Sequence, residues 1–353
     1  MTGIIKMSLF GVITAVISVV LVLMGNPANM GFCIACFLRD TAGALGLHGA
    51  AAVQYVRPEI IGIISGALIM SIATREFAAK GGSAPITRFI LGVCVMIGAL
   101  IFLGCPLRMT LRIAGGDLNA VVGLVGFAAG ILLGIFFLTK GYTLKRTYSV
   151  SKTDGSILPL ICLLLLAALL FSPEILKFSE SGPGAAHAPI YWALAAGLIM
   201  GVIGHISRLC FVAGIRDSVL FKDFLMISAF ISIIVAGIIG NLIYGKFNLG
   251  FANQPIAHTD GLWNFLGLAL VGFGSVLLGG CPFRQLILAG SGNSDSAITV
   301  LGMVFGAAIV HNLGVASSAS GVTANGKIGF AVAAVIMLYI AVYNTCFNGE
   351  ESK

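Results

Sequence analysis

Residues 104–108 read Gly-Cys-Pro-Leu-Arg, and residues 280–284 read Gly-Cys-Pro-Phe-Arg. Residues 33–40 read Cys-Ile-Ala-Cys-Phe-Leu-Arg-Asp, and residues 210–217 read Cys-Phe-Val-Ala-Gly-Ile-Arg-Asp. The first pair lies 176 positions apart and the second 177. Two unrelated motifs recurring at nearly one offset mark an internal duplication.

The chain around these motifs is apolar. Of 353 residues, 58% are hydrophobic and 9% are charged, against about 25% charged in a soluble domain. So few charges cannot cover a soluble surface, which excludes an ordinary cytosolic enzyme, a disordered chain and a nucleic-acid binder. The net charge of +7 then belongs to cytoplasmic loops rather than to a polyanion-binding face. The 47 glycines suit helices that approach closely in lipid. A crossing helix needs roughly 20 mostly apolar residues. Candidates run over 8–24, 58–74, 87–103, 118–139, 157–173, 189–205, 223–245, 262–279, 296–314 and 327–346. Several are near the short limit, so the expected count is about ten (nine to ten). Pro58, Pro159 and Pro189 read as helix starts, where a missing N–H does no harm. The apolar stretches 25–48, 104–116, 206–221 and 280–292 are too short to cross. They read as re-entrant segments, which lipid tolerates only where they line a protein cavity. The expected fold is an all-α polytopic membrane protein with short re-entrant helices.

Loop 75–88 holds Arg75, Lys80, Arg88 and Glu76, and loop 140–156 holds Lys140, Lys145, Arg146, Lys152 and Asp154. With ten spans both fall on the side of the N-terminus and Lys6, and the positive-inside rule makes that side cytoplasmic. Both termini are then inside, and loop 174–188 faces out. Each half reads as a helix, a Cys-x5-Arg-Asp segment, two helices, a Gly-Cys-Pro-x-Arg segment and a helix. The first helices of the halves are five spans apart. The second half is therefore upside down, an inverted-topology repeat of the kind secondary transporters use. The expected organisation is 1–150 as the first membrane repeat and 151–188 as a connecting helix and loop. Residues 189–315 form the second repeat and 316–353 a C-terminal helix and tail. Short segments entering from opposite faces would meet near the midplane and give an hourglass.

In Gly-Cys-Pro-x-Arg, proline favours the first helical position, which puts Cys105 and Cys281 at N-caps. Free N–H groups and roughly half a positive charge collect there, with Arg108 and Arg284 on the first turn. A thiol at such an end is a weak donor and a soft, polarisable contact. Hard phosphate is better served by N–H groups and arginine alone, so sulfur points to a soft anion, a sulfur or selenium compound. In Cys-x5-Arg-Asp, seven residues are about two helical turns, so Cys33 shares a face with Asp40 and Cys210 with Asp217. Arg39 and Arg216 read as local neutralising partners of those aspartates, because isolated charges are costly at membrane depth. The cysteines are the functional candidates.

Cys33-x-x-Cys36 has the spacing of a redox pair, but position 213 in the second copy is alanine. Cys94, Cys162 and Cys346 read as small core residues. His311-Asn312 reads as an interhelical hydrogen bond, and His205 as a residue near the path. Gly126, Gly130 and Gly134, like Gly197 and Gly201, form small-xxx-small stripes for packing or a dimer face. Asp117, Asn119, Asn293 and Asp295 read as helix N-caps. No His/Cys cluster has metal-ligand spacing, no Gly-x4-Gly-Lys-Ser/Thr loop appears, and no cofactor is expected.

The doubled motifs, each followed by a Gly/Ser-rich turn, make the chain resemble the YeeE/YedE family of bacterial inner-membrane sulfur transporters. The start Gly-Phe-Cys-Ile-Ala-Cys-Phe-Leu-Arg-Asp is most similar to the branch linked to selenium metabolism. The resemblance implies that thiosulfate, or a selenium analogue, passes along central cysteines without a large rocking motion. Carried onto this chain they are Cys33, Cys105 and Cys281, with Cys210 as the repeat-related fourth. It also implies a small cytosolic sulfur-carrier protein as partner. The leading expectation is a permease, not an enzyme, with Cys33, Cys105, Cys210, Cys281, Arg108 and Arg284 along the path. Weak serial sites suit conduction because each must bind and then release. Two readings stand against it. One is a membrane sulfurtransferase whose cysteines are nucleophiles that carry persulfide. The other is an assembly subunit of a redox complex, in which the cysteines would tolerate replacement.

Overall fold

The computed structural model describes residues 2–346. Among the described residues the regular structure is helical apart from two strands of two residues each. The long helices are α1 (Thr2–Leu23), α3 (Pro58–Ala73), α4 (Pro85–Phe102), α6 (Leu118–Thr139), α7 (Lys152–Phe171), α8 (Ile190–Ser207), α10 (Leu225–Ile243), α11 (Gly261–Leu277), α13 (Ser294–Asn312) and α14 (Ala324–Cys346). The short ones are α2 (Ile34–Ala44), α5 (Pro106–Ala114), α9 (Phe211–Leu220) and α12 (Pro282–Gly290). Among the described residues, nine helical stretches are long and apolar enough to cross a membrane. The protein is an all-α polytopic membrane protein.

The tenth expected span, α3, has only 16 residues, about 24 Å at 1.5 Å per residue. It nevertheless joins opposite faces. Before it, the end of α2 and loop 45–57 are tied to segment 172–188 by Lys177 N–H to Ala44 O at 2.9 Å and Arg57 Nη2–H to Pro183 O at 2.7 Å. After it, β1 (Lys80–Gly81) pairs antiparallel with β2 (Tyr148–Ser149), joining the two basic loops on one face. The run Val53–Arg57 directly before α3 is also buried.

The packing repeats with the sequence. α1 lies on α10 as α8 lies on α3, and α6 lies on α11 as α13 lies on α4. Short helices follow: α5 touches α10 as α12 touches α3. Exchanging α1–α6 with α8–α13 maps one set of contacts onto the other, the relation of an approximate two-fold axis. Helices α4 and α11 cross at the centre and are the most buried, while α7, α10 and α14 present most of their apolar surface outward.

Glycine makes these close crossings possible. A Cβ at Gly126 would stand 2.0 Å from Phe265 O, and one at Gly130 1.9 Å from Ala269 O, both on α11. Gly197 and Gly201 likewise meet the α3 carbonyls of Glu59 and Ile63. The stripes are therefore used inside the protomer, not as a dimer face. Gly130→Leu is expected to force α6 off α11 and to destabilise by about 1–3 kcal/mol or more. The check is a lowered thermal midpoint in detergent; an unchanged midpoint would contradict the packing.

Several local expectations change. α7 begins at Lys152, capped by Ser151 Oγ accepting from Asp154 N–H, so Pro159 is interior rather than a start. The proline ring meets the carbonyl four residues back, which here belongs to Gly155, a residue without a side chain. Cys94 and Cys162 are buried, but Cys346 is exposed at the end of α14, where nothing packs over it. Asn312 donates to Leu47 O at 2.9 Å in the loop after α2 rather than to another long helix, and His311 stacks on His48 at 4.6 Å. Asp117 and Asn293 cap α6 and α13, whereas Asn119 reaches Phe251 O at 2.7 Å. Asp295 accepts from the Gly82 and Ser83 N–H groups and holds the loop before α4.

Candidate functional site

Each of the four short helices begins on a cysteine: Cys33 caps α2, Cys105 α5, Cys210 α9 and Cys281 α12. The local cause differs. Pro106 and Pro282 fix the first turn of α5 and α12, and neither Cys105 nor Cys281 uses its sulfur as a cap. Cys33 Sγ does cap its helix, accepting from Cys36 N–H at 3.2 Å.

The cysteines meet in two pairs related by the repeat. Ile34 N–H donates to Cys105 Sγ at 3.2 Å, and the Cys33 and Cys105 thiols interact directly. Cys281 N–H donates to Cys210 Sγ at 3.5 Å, and these two thiols also interact. All four are buried. Helix α2 of the first pair touches α12 of the second, so the pairs belong to neighbouring elements. Four helix N-termini converge on them, each with partial positive charge.

The two arginines differ more than their motifs. Arg108 is fully buried, and its donors go to backbone carbonyls: Asn29 at 3.3 Å, Ile256 at 3.2 Å, Pro255 at 3.4 Å and Leu103. It also reaches Cys36 Sγ at 3.6 Å. Arg108 thus fastens the segment before α2 and loop 244–260 around the first thiol pair, while its charge stays beside the sulfurs. Arg284 makes no hydrogen bond or ion pair among the described residues. It lines a cavity of about 500 Å³ with Arg75, Lys80, Arg208, His205 and Glu76. There Glu76 pairs with His205 at 3.0 Å and approaches Arg208 at 3.8 Å. The cavity opens on the face of the joined basic loops, one helical turn from Cys281.

The Arg–Asp pairs form as expected, Arg39–Asp40 at 2.6 Å and Arg216–Asp217 at 2.7 Å. Sequence reasoning missed a third member, Arg57, whose Nη2 lies 2.8 Å from Asp40 Oδ2. It also missed Arg112, which pairs with Asp117 at 2.6 Å. The repeat held a signal for the latter: the counterparts of Arg112 and Asp117 at the 176 offset are Leu288 and Asn293, so cation and anion change together. Cys36, set aside for lack of a counterpart, joins the first cluster, its sulfur in contact with Cys33 Sγ. Among the described residues no group of three His, Cys, Asp or Glu is arranged to hold a metal ion.

Residues 206–345 match the family model described as Sulphur transport. No curated protein matches the chain. The matched segment holds the second copy of both cysteine motifs, and the first copy repeats them on the same four-helix plan with the same thiol pairing. The chain is a multi-pass membrane protein whose residues 206–345 are similar to the sulphur-transport family.

Proposed function

We propose that the chain is an inner-membrane permease importing a small sulfur- or selenium-containing anion of the thiosulfate type, by passing it between its two buried thiol pairs. The observation that carries this reading is the four short helices that each start on a cysteine and meet as pairs. A thiol offers a weak hydrogen-bond donor and a polarisable surface, so it holds a terminal sulfur or selenium and lets it go. The path runs from Cys33 and Cys105 to Cys210 and Cys281. Arg108 supplies a fixed positive field at the first pair, and Arg284, with donors free, draws the anion into the basic cavity. Loops 75–88 and 140–156 face the cytoplasm in this reading, with both termini, and the cavity is the exit. A small cytosolic sulfur-carrier protein would collect the product there. Inversion of residues 189–315 relative to 1–150, with 151–188 as connector and 316–353 as the C-terminal helix and tail, sets the pairs on a common axis. Residues 347–353 lie outside the described residues.

The test is uptake of labelled thiosulfate and selenite by a host lacking its own transporter. Expression of the chain is expected to restore uptake, with intact anion recovered inside. Absence of uptake contradicts a permease, and recovery of the label only as protein-bound persulfide favours a sulfurtransferase.

A further inference from the structure

Four carboxylates are fully buried among the described residues: Asp40, Glu59, Asp117 and Asp295. Asp40 has Arg39 and Arg57, Asp117 has Arg112, and Asp295 has two backbone N–H groups with Arg88 at 3.8 Å. Glu59 has no cation. It opens α3 directly after Pro58, its Oε1 accepts from Asn26 Nδ2 at 2.8 Å, and its Oε2 has no hydrogen-bond partner. An ionised carboxylate buried without a counter-charge is costly, and Oε2 is an open position for a proton.

The surroundings give proton binding a consequence. Tyr55 lies close enough to feel the charge of Glu59, and its buried hydroxyl is also without a partner. The Tyr55 ring stacks on His187 at 3.9 Å, with 7° between planes, and His187 is only partly buried. Tyr55 thus lies between Glu59 and His187 of segment 172–188. On the inner side, Asn26 is a junction. Its Nδ2 also donates to Gly31 O at 3.2 Å, two residues before Cys33, and its Oδ1 accepts from Ala188 N–H at 2.8 Å. A charged Glu59 holds the Asn26 amide about twice as strongly as a neutral one, so protonation loosens the clamp on the segment that carries Cys33.

Other charged and titratable groups around this end of α3 are accounted for. Arg57 donates to Asp40 and to the carbonyls of Pro183 and Ala186. Arg39 is held by Asp40, and His48 bonds to Arg39 O. Helix α8 brings Gly197 against the Glu59 carbonyl, and its Tyr191 is exposed. Lys152 and Asp154 of α7 and Arg284 of α12 lie toward the opposite face.

We infer that Glu59 is a proton-binding site that couples anion passage to a proton gradient, through Asn26 and the segment leading to Cys33. The coupling rests on the transport reading above, whereas proton binding does not. Infrared difference spectroscopy of the purified full chain across pH is expected to show a titrating buried-carboxyl band. The band should be lost in Glu59→Gln, retained in the exposed control Glu174→Gln, and shifted in Glu59→Asp, which keeps a carboxyl should the glutamine variant fold poorly. In proteoliposomes with the membrane potential clamped at zero, one proton per anion makes an inward gradient of one pH unit worth about a tenfold accumulation of labelled thiosulfate. Glu59→Gln is expected to lose that accumulation and keep thiosulfate exchange at zero gradient. A band unchanged by Glu59→Gln, gradient-driven accumulation surviving in that variant, or equal accumulation from a sodium gradient alone would overturn the inference. Failure of wild-type exchange would instead sink the transport reading, and the infrared titration would still decide whether Glu59 binds the proton.

Discussion

Replacing Cys105 or Cys281 by alanine is expected to abolish thiosulfate uptake while leaving expression and elution behaviour unchanged. Neither sulfur caps its own helix, and the first turns of α5 and α12 are set by Pro106 and Pro282. The substitution therefore leaves the helix start intact and removes the thiol, with its contact to the paired thiol and, at Cys105, the acceptor for Ile34 N–H. Cys33 is a poorer test, because its sulfur caps α2 and losing a cap destabilises by about 0.5–2 kcal/mol. A hydrogen bond contributes about 1 kcal/mol net, and each 1.4 kcal/mol is tenfold in an equilibrium. One lost hydrogen bond is thus worth at least about fivefold in the initial uptake rate, and in a serial path, where every pair must be occupied in turn, the missing thiol interrupts passage as a whole. Serine keeps a donor but not the polarisable sulfur, so Cys105→Ser and Cys281→Ser should fall between. Cys94→Ala and Cys162→Ala, buried without a second thiol beside them, should transport normally. Unimpaired uptake in both Cys105→Ala and Cys281→Ala would remove the thiol path.

Asp40→Asn is expected to be the most damaging substitution for folding. Asp40 Oδ1 accepts from Arg39 at 2.6 and 2.8 Å and Oδ2 from Arg57 Nε at 2.8 Å, all with side chains 3% exposed or less. Neutralising it leaves two buried guanidinium groups facing one another, and breaking a buried pair typically destabilises by about 3–5 kcal/mol. The expected readout is loss of the monodisperse peak in detergent, or a strongly lowered thermal midpoint. The repeat supplies its own comparison. Asp217 stands at the equivalent motif position, but it and Arg216 are 21% and 26% exposed and lack a third partner. Asp217→Asn should therefore change stability by at most about 1 kcal/mol. Equal behaviour of the two variants would show that burial does not set the role of this motif.

The chain's own order of residues determined the crossing helices, the four short segments between them, the duplication and the cysteines at helix starts. Each of these depends on local physics: an apolar run long enough for the bilayer, a proline after the cysteine that favours a first turn, a motif that recurs. Folding decided what those residues touch. Arg108 and Arg284 occupy the same motif position, yet one is bound to carbonyls from loop 244–260 and the other is open to a cavity. That difference arises from which distant loop folds over each, and spacing along the chain does not encode it. Arg57 completing the Asp40 cluster, and Glu59 left with only Asn26, depend likewise on contacts between segments that are remote in sequence. Adjacent pairs such as Arg39–Asp40 are legible along the chain, but which further charges join them is fixed only when the helices pack, because a side chain's partner in a low-dielectric interior is whatever the neighbouring elements bring within about 3 Å.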